Sequence, residues 1–583
     1  MFFISKQTKE ITGRRSSFSR FYQWQKIWMI LGLFLIIIFF VSPIIRLFLL
    51  SFMEQNTFSL SHYSQILSEE KTWVTVKNTL YIVSGSTVIS LIVGITLAWV
   101  MAYLNIGGKK WIQLFIFLPF IIPSYITTLA WIQLFSENGP VASILEIFPG
   151  DWKLPNLYSM TGIIVILGLS HYPLVYLLSV ELFRKIPIEL EHAAQICGAK
   201  KGKIMYKVVL PLAIPGISSG GILAFLSNLD NFGIPAILGI PANIRVLSTY
   251  IYEEVVGFGP ASFSRAAVLS ILLGGIAFIG LLIQWLLLRK SRVIETVNRV
   301  TEPRIQLSSM KKRFIEIIIW SFLLLTSFVP FLSMGMTSLI KAYGLPFHLE
   351  NLSFKNYEYI LFTDSKTISA LTNSLKLALL TTVVSLIIGT TIAYIRYKLP
   401  NKWTKLVELL ITIPYALPGT VFALSMIFTW MQPIPGWNPG IYGSIWILII
   451  AYITRFLVLQ VRGSYTALTQ IESSIEEAAR TSGAKFFVKW RKILMPLLLP
   501  GVISGALLVF LTSLTELTVS SLLWSTGAET VGVVIFNFEQ AGYTLYSTAF
   551  SSLIVLAILL LGIFLIFFEK IWRRKVLKQV DSA

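Results

Sequence analysis

Two strings in this 583-residue chain carry residue types that do chemistry in other settings. A phosphate-cradling loop needs G-x-x-x-x-G-K-[ST], whose backbone N–H groups hold the phosphates and whose hydroxyl meets magnesium. Residues 198–204, GAKKGKI, have one residue too few between the glycines and Ile204 where the hydroxyl belongs. The chain therefore carries no nucleotide-hydrolysing loop of its own. Residues 216–220, GISSG, match the nucleophile-elbow pattern, but that elbow needs a strand–turn–helix setting, and here an apolar, Gly/Ser-rich helix surrounds it. His62, His171, His192 and His348 are scattered, and no HExxH exists. Cys197 is the single cysteine, which excludes an intrachain disulfide and a cysteine metal cluster. No catalytic or metal site emerges. What remains are polar and ionisable groups lodged in apolar stretches, which are costly enough there to imply a function.

The elements that must position these groups are membrane helices. Hydrophobic residues make up 55% of the chain and charged residues 13%, with mean hydropathy +0.75; a soluble domain carries about 25% charged residues. The net charge of +20 would suggest nucleic acid in a soluble protein. Here Lys and Arg crowd the ends of apolar runs, so nucleic acid is excluded and the lipid bilayer is the expected surroundings. Crossing it takes roughly 20 apolar residues at ~1.5 Å each. Such runs begin near residues 28, 76, 111, 161, 208, 265, 314, 370, 405, 443, 497 and 547. The fold class expected is an all-α polytopic membrane protein of about twelve transmembrane helices. The long polar N-terminus and the spanning-length run after it read as an uncleaved first helix.

Charge fixes the expected orientation. Basic residues gather at the N-terminus (Lys6, Lys9, Arg14, Arg15, Arg20, Lys26), at Lys109 and Lys110, and at the C-terminus. The stretch 289–313, RKSRVIETVNRVTEPRIQLSSMKKR, adds eight basic and two acidic residues. The opposite loops are acidic or sparse. Both termini are thus expected in the cytoplasm.

The chain repeats itself. Pairs such as His192/Glu477, Gly198/Gly483, Pro211/Pro496 and Pro215/Pro500 differ by 285, and Asn78/Asn373, Gly94/Gly389 and Pro119/Pro414 by 295. Six helices per copy is an even number, so the copies are parallel repeats about an axis along the membrane normal. The expected organisation is a cytoplasmic segment 1–27, a first half 28–289, a basic linker 290–313, a second half 314–571 and a tail 572–583.

Two charged segments interrupt this hydrocarbon, EHAAQICGAKKGKIMYKVVLPLAIPG at 191–216 and EEAARTSGAKFFVKWRKILMPLLLPG at 476–501. Each reads as an amphipathic helix, near 189–206 and 475–491, with acid at its start and base at its end to suit the helix dipole. The Gly-Ala step midway implies a kink or a close backbone approach. A lone interfacial helix on anionic lipid is the bland alternative; matching copies with the same Gly-Ala step and paired prolines argue against it.

E-A-A-x-x-x-G-A followed by a hydrophobic-Pro-x-x-x-Pro-Gly run resembles the EAA motif of permease subunits of bacterial binding-protein-dependent ABC importers, of type I architecture. In that family the segment is the coupling helix, which docks in a groove of the ATPase. The resemblance places Glu477, Ala478, Ala479, Gly483 and Ala484 in the second coupling helix. In the first it places Ala193, Ala194, Gly198 and Ala199, with His192 where the motif glutamate belongs. Glu191 is adjacent and is the candidate substitute for it in the coupling site, though one helical step turns it by about 100°. Two copies in one polypeptide, with LDNFGIPAILG after the first, look most like fused permeases of iron(III)-type importers; thiamine, polyamine and phosphonate importers are close relatives. The resemblance implies a bacterial cell-membrane permease with two ATPase subunits and an extracytoplasmic solute-binding protein as partners. It implies no cofactor on this chain, ATP being used by the partners. The competing class is an ion-coupled secondary transporter, in which paired levers would have no work.

For the solute's path, Asp230 and Asn231 in LSNLDNFG lie about 28 Å along the helix from Pro211, toward its outer end, and align with Thr515 and Glu516 in TSLTELTV. Asn228, Asp230, Asn231, Thr515 and Glu516 are expected to face one another across the pseudo-twofold axis at an outer gate; contact with interfacial water is the alternative. Arg455 is expected to snorkel toward the inner interface, and His171 to be a hydrogen-bonded polar group inside the bundle.

Overall fold

The computed structural model describes residues 31–54, 57–150, 152–257, 259, 261–289, 303–431 and 440–581. The N-terminal segment 1–27 and linker residues 290–302 lie outside the described residues. Backbone groups in lipid have no water to bond, so an apolar chain satisfies them within helices. The strands Met53–Glu54 and Thr57–Phe58 form one short hairpin among the described residues.

Ten of the described helices are long and apolar enough to span a bilayer, and two bent pairs raise the number to twelve. The first copy contains α1 (Leu31–Ser51), α2 (Glu70–Tyr103), α3 (Lys109–Ile121), α4 (Ser124–Leu134), α5 (Met160–Lys185), α6 (Ile188–Ile196), α7 (Lys201–Asp230), α8 (Leu247–Val256) and α9 (Ser262–Arg289). The second contains α10 (Ser309–Ser338), α11 (Ser365–Lys398), α12 (Lys402–Ala416), α13 (Gly419–Trp430), α14 (Ile445–Thr469), α15 (Ser473–Thr481), α16 (Trp490–Leu514), α17 (Val531–Gln540) and α18 (Thr544–Asp581). Element lengths repeat with the sequence: α2 and α11 are both 34 residues long, and α6 and α15 both nine.

The third span of each copy is broken. Helices α3 and α4 meet at 103°, α12 and α13 at 107°. Proline clashes with a helical residue before it, so Ile122 before Pro123 and Leu417 before Pro418 are extended, at ψ 133° and 145°. Glycine permits close helix approach: a Cβ at Gly94 in α2 would lie 2.6 Å from Val175 Cβ in α5, and one at Gly389 in α11 would lie 2.9 Å from Gln460 Cγ in α14.

The described chain forms two compact units. One takes its residues from 31–50, 377–417 and 425–513; it buries Phe40 of α1 with Leu457, Val461 and Leu498, so the first helix of the first copy packs with helices of the second. The other takes its residues from 51–376, 418–424 and 514–581 and has its core around Tyr125, Ile163, Phe232, Phe536 and Phe550. Within it, α10 packs against α3 and α4 of the first copy as well as against α18. The opening helix of each copy is thus exchanged.

Candidate functional site: the two amphipathic segments

Pro187, at φ −63°, ends the extended turn after α5 and starts α6. The helix stops at Gly198, whose φ of +80° is left-handed; Gly483 after α15 has φ +74°. The Gly198 N–H donates to Gln195 O at 2.8 Å and the Ala199 N–H to Ala194 O at 3.0 Å, the paired bonds of a Schellman ending. In the second copy the Ala484 N–H donates to Ala479 O at 3.0 Å. Here the structure corrects the sequence reading. The Gly-Ala step is neither a mid-helix kink nor a site of close approach within the chain, for nothing lies within 4 Å of a Cβ at Gly198 or Gly483. It ends the helix, because an L-residue with a side chain pays to adopt a positive φ. Each expected helix, near 189–206 and 475–491, is accordingly two pieces; the second begins at Lys201 or Phe486.

This ending explains most of the motif. Ala194 and Ala199 pack against the core around Tyr103 and Phe183, and Ala479 is buried. His192 and Ala193 in the first copy, and Glu477 and Ala478 in the second, are exposed at the same helical positions. Ile196, at the end of α6, is 87% exposed.

The acids one residue earlier turn inward. Glu191 does not occupy the exposed position that Glu477 holds; its repeat equivalent is Glu476. Tyr103 Oη donates to Glu191 Oε1 at 2.8 Å, and Arg304 pairs with the same carboxylate. Glu476 Oε2 accepts from Lys398 Nζ at 2.5 Å and from Lys489 Nζ at 3.2 Å. Burial pushes the Glu476 carboxyl up, but the hydrogen bonds from the two lysines outweigh it and hold the group below its ordinary value. Arg304, Tyr103 and Lys398 were not singled out from sequence, and Glu476 and Lys489 were read there only as charges that suit the helix dipole; the available signal was helix phase, one 100° step from the motif glutamate.

The five path candidates are held as follows. Asn228 is buried, its Oδ1 2.7 Å from His171 Nδ1 and its Nδ2 donating to Thr87 Oγ1 at 3.2 Å. This joins α7 to α5 and α2, and it realises the hydrogen bond expected of His171. Asp230, the last residue of α7, accepts from the Gly419 N–H at the start of α13, where the helix dipole favours a carboxylate. Asn231 Oδ1 accepts from the Ile234 N–H at 3.0 Å, and its Nδ2 donates to Ser124 Oγ at 2.8 Å. Glu516 caps the corresponding turn, accepting from the Val519 N–H at 2.6 Å and the Ser520 N–H at 2.8 Å. Thr515 is half-buried. Arg455 departs from expectation: it is 5% exposed and donates to Leu417 O at 3.2 Å. The break before Pro418 leaves carbonyls without helical partners, and the guanidinium serves one of them instead of reaching an interface.

Fold and segments together define a multi-pass helical membrane protein made of two like halves, each with one short polar helix between its fourth and fifth spans. Residues 90–292 and 385–578 each match the family described as binding-protein-dependent transport system inner membrane component, and the chain belongs to that family. It is an ABC importer permease with both halves in one polypeptide. Over 543 residues it is 22% identical to the ferric transport system permease protein FbpB of Actinobacillus pleuropneumoniae, covering 92% of this chain and 77% of that one. It is 23% identical over 525 residues to the Fe(3+)-transport system permease protein FbpB 2 of Haemophilus influenzae, covering 90% and 95%. The molybdenum transport system permease protein ModB of Escherichia coli (strain K12) is 28% identical over 223 residues, 38% of this chain and 95% of that one. Among solved structures, a bacterial alginate ABC transporter in complex with a pentasaccharide-bound periplasmic protein matches 47% of this chain and 97% of its own, with TM-score 0.40 and 20% identity.

Proposed function

We propose that this permease imports a solute handed over by an extracytoplasmic binding protein, and that two separate ATPase subunits drive it by gripping α6 and α15. Both segments then lie in the cytoplasm with both chain termini, in the cell membrane of a bacterium. The carrying observation is the paired segments themselves. Each exposes one face, His192 and Ala193 or Glu477 and Ala478, and roots the opposite face through an ion-paired carboxylate, partly buried at Glu191 and buried at Glu476. A surface offered outward and anchored inward can carry a push from a partner into the spans. ATP acts through its differential affinity for the partner's two conformations, and this chain binds no cofactor. Asp230 on Gly419 is the contact most suited to an outer gate, since it ties the end of α7 to the broken span of the other copy.

Ferric ion is the cargo this reading favours over thiamine, a polyamine, a phosphonate or an oxyanion. The support is that ferric-transport permeases align over 85–92% of this chain and so share its two-half build, whereas ModB, 28% identical, is matched over 95% of its own length by 38% of this chain. An ion-gradient-driven transporter is the alternative of another class, and it gives the two segments no task. The test is co-purification of the ATPase with Glu477→Lys, together with uptake of labelled iron. Loss of the ATPase is expected; undiminished recovery refutes the docking assignment, and uptake without any ATPase refutes the class.

A further inference from the structure

The two acids that root the segments are matched to cations in different ways. In the second copy both cations belong to the copy itself: Lys398 ends α11 and Lys489 precedes α16. Their repeat equivalents in the first copy are Tyr103 and Ile204, neither of them cationic. Among the described residues the cation on Glu191 is Arg304, which comes from the connector between the copies.

Arg304 is fixed by its neighbours. The Ile305 N–H donates to Tyr103 O at 2.9 Å, and the Leu307 N–H to Asn105 Oδ1 at 2.9 Å, so this stretch runs alongside the end of α2. The Arg304 side chain is 4% exposed. It donates to Tyr103 Oη at 3.0 Å, Phe183 O at 3.1 Å and Ile186 O at 2.5 Å, stacks over the Tyr103 ring at 4.7 Å, and pairs with Glu191. One planar fork thereby binds the end of α2, the end of α5 and the body of α6, a geometry that lysine's point charge cannot reproduce. Helix α6 contains no fully buried residue, so its pitch depends on this node and on the turns that flank it.

We infer that Arg304 is a positioning residue for the first coupling helix, and that the connector is a working part of that coupling site as well as a tether. The inference rests on the reading that α6 and α15 dock the ATPase. It makes the two sites mechanically distinct: one is held from within its own repeat, the other by a residue outside both repeats.

The test uses the full transporter, co-expressed with its ATPase and binding protein and reconstituted in lipid, with Arg304→Ala, Arg304→Lys, Glu191→Gln and the Arg304→Ala/Glu191→Gln pair. The readouts are solute moved per ATP hydrolysed and the rate at which a maleimide labels Cys197, the exposed sole cysteine at the end of α6. Arg304→Ala is expected to lower solute per ATP several-fold and to raise Cys197 labelling. Arg304→Lys falls between it and the parent. The double variant is no worse than Arg304→Ala, because both changes break one node. Parental solute-to-ATP ratio and labelling in both Arg304 variants, or losses that simply add, overturn the inference; should Arg304→Ala not accumulate, Arg304→Lys decides. Glu477→Lys in the same assay separates the two failures. If it retains the ATPase, the docking reading falls; if it loses the ATPase while the Arg304 variants behave as parent, only the connector's part falls.

Discussion

Replacing Glu476 with Ala should free the second segment without unfolding the spans. Side-chain exposure is 10% for Glu476, 11% for Lys489 and 36% for Lys398. Removing one partner of a fully buried ion pair costs about 3–5 kcal/mol, and an exposed pair contributes about 0–1 kcal/mol. Lys489 belongs nearer the first case and Lys398 nearer the second, and either flexible amine can turn toward water once released. A cost of about 2–3 kcal/mol follows, equivalent to roughly 30- to 150-fold in the docked-to-undocked ratio. Amide hydrogen exchange across 473–489 reads this ratio directly. Protection there should fall by that factor in Glu476→Ala and by less in Lys398→Met, while amides of α14 change little. Protection unchanged within about threefold would refute the anchor. The pH dependence has a definite sign. The folded carboxyl titrates below its ordinary value, so its stabilisation is complete above the unfolded carboxyl pKa of about 4.3 and is lost as pH falls through the lower folded value. The wild-type segment should therefore keep this anchor unweakened through neutral pH and lose it only in acid.

Other substitutions probe the glycines. At Gly483, with φ +74° and open space around a Cβ, Asn should be close to neutral, Ala should cost about 1 kcal/mol and Val more, because only the backbone is strained; exchange across 479–484 orders the three, and equal behaviour of Asn and Val would contradict the helix-ending account. Gly94→Leu must push against Val175 Cβ and Tyr172 O, at 2.6 and 2.8 Å from a Cβ. Overpacking of this kind costs about 1–3 kcal/mol or more, and a lowered melting temperature in detergent checks it.

The spans were legible because lipid leaves a chain few options: about 20 apolar residues at a stretch, punctuated by basic ends. The repeat was legible because Gly94, Pro119, Gly198 and Pro211 recur at fixed offsets. The 103° and 107° bends were not, although their prolines stood in plain view, since a proline within a span kinks or breaks it depending on what its neighbours can satisfy. Helices α8 and α17, at ten residues each, are too short for any spanning window. The exchange of α1 and α10 was not legible, because their apolar faces do not encode which helix they meet, and Arg46 and Glu316, which bond Thr429 O and the Gly107 N–H across the exchange, name no partner in the sequence. Arg304 was one of eight basic residues in a stretch read for its net charge, and only the structure shows that its side chain is buried against Glu191.

The segments also show why neighbouring residues divide their work. A nine-residue helix is too short to be stable alone in water, and α6 buries no residue fully. Hydrophobic burial therefore cannot hold it at a fixed angle, while Ala194 and Ala199 contribute only small contacts. A desolvated ion pair adds little net stability compared with a well-packed apolar one, but it is unforgiving about geometry once formed. Placing an acid at 191 or 476 and the candidate docking residue at 192 or 477 turns that property to use: one step along the helix rotates the side chain by about 100°, so the first grips the body of the protein while the second faces outward. On the proposed reading, force applied at the outer position reaches the ends of α2 and α5, or of α11, through a contact that tolerates little slack, which is what a lever between two bodies requires.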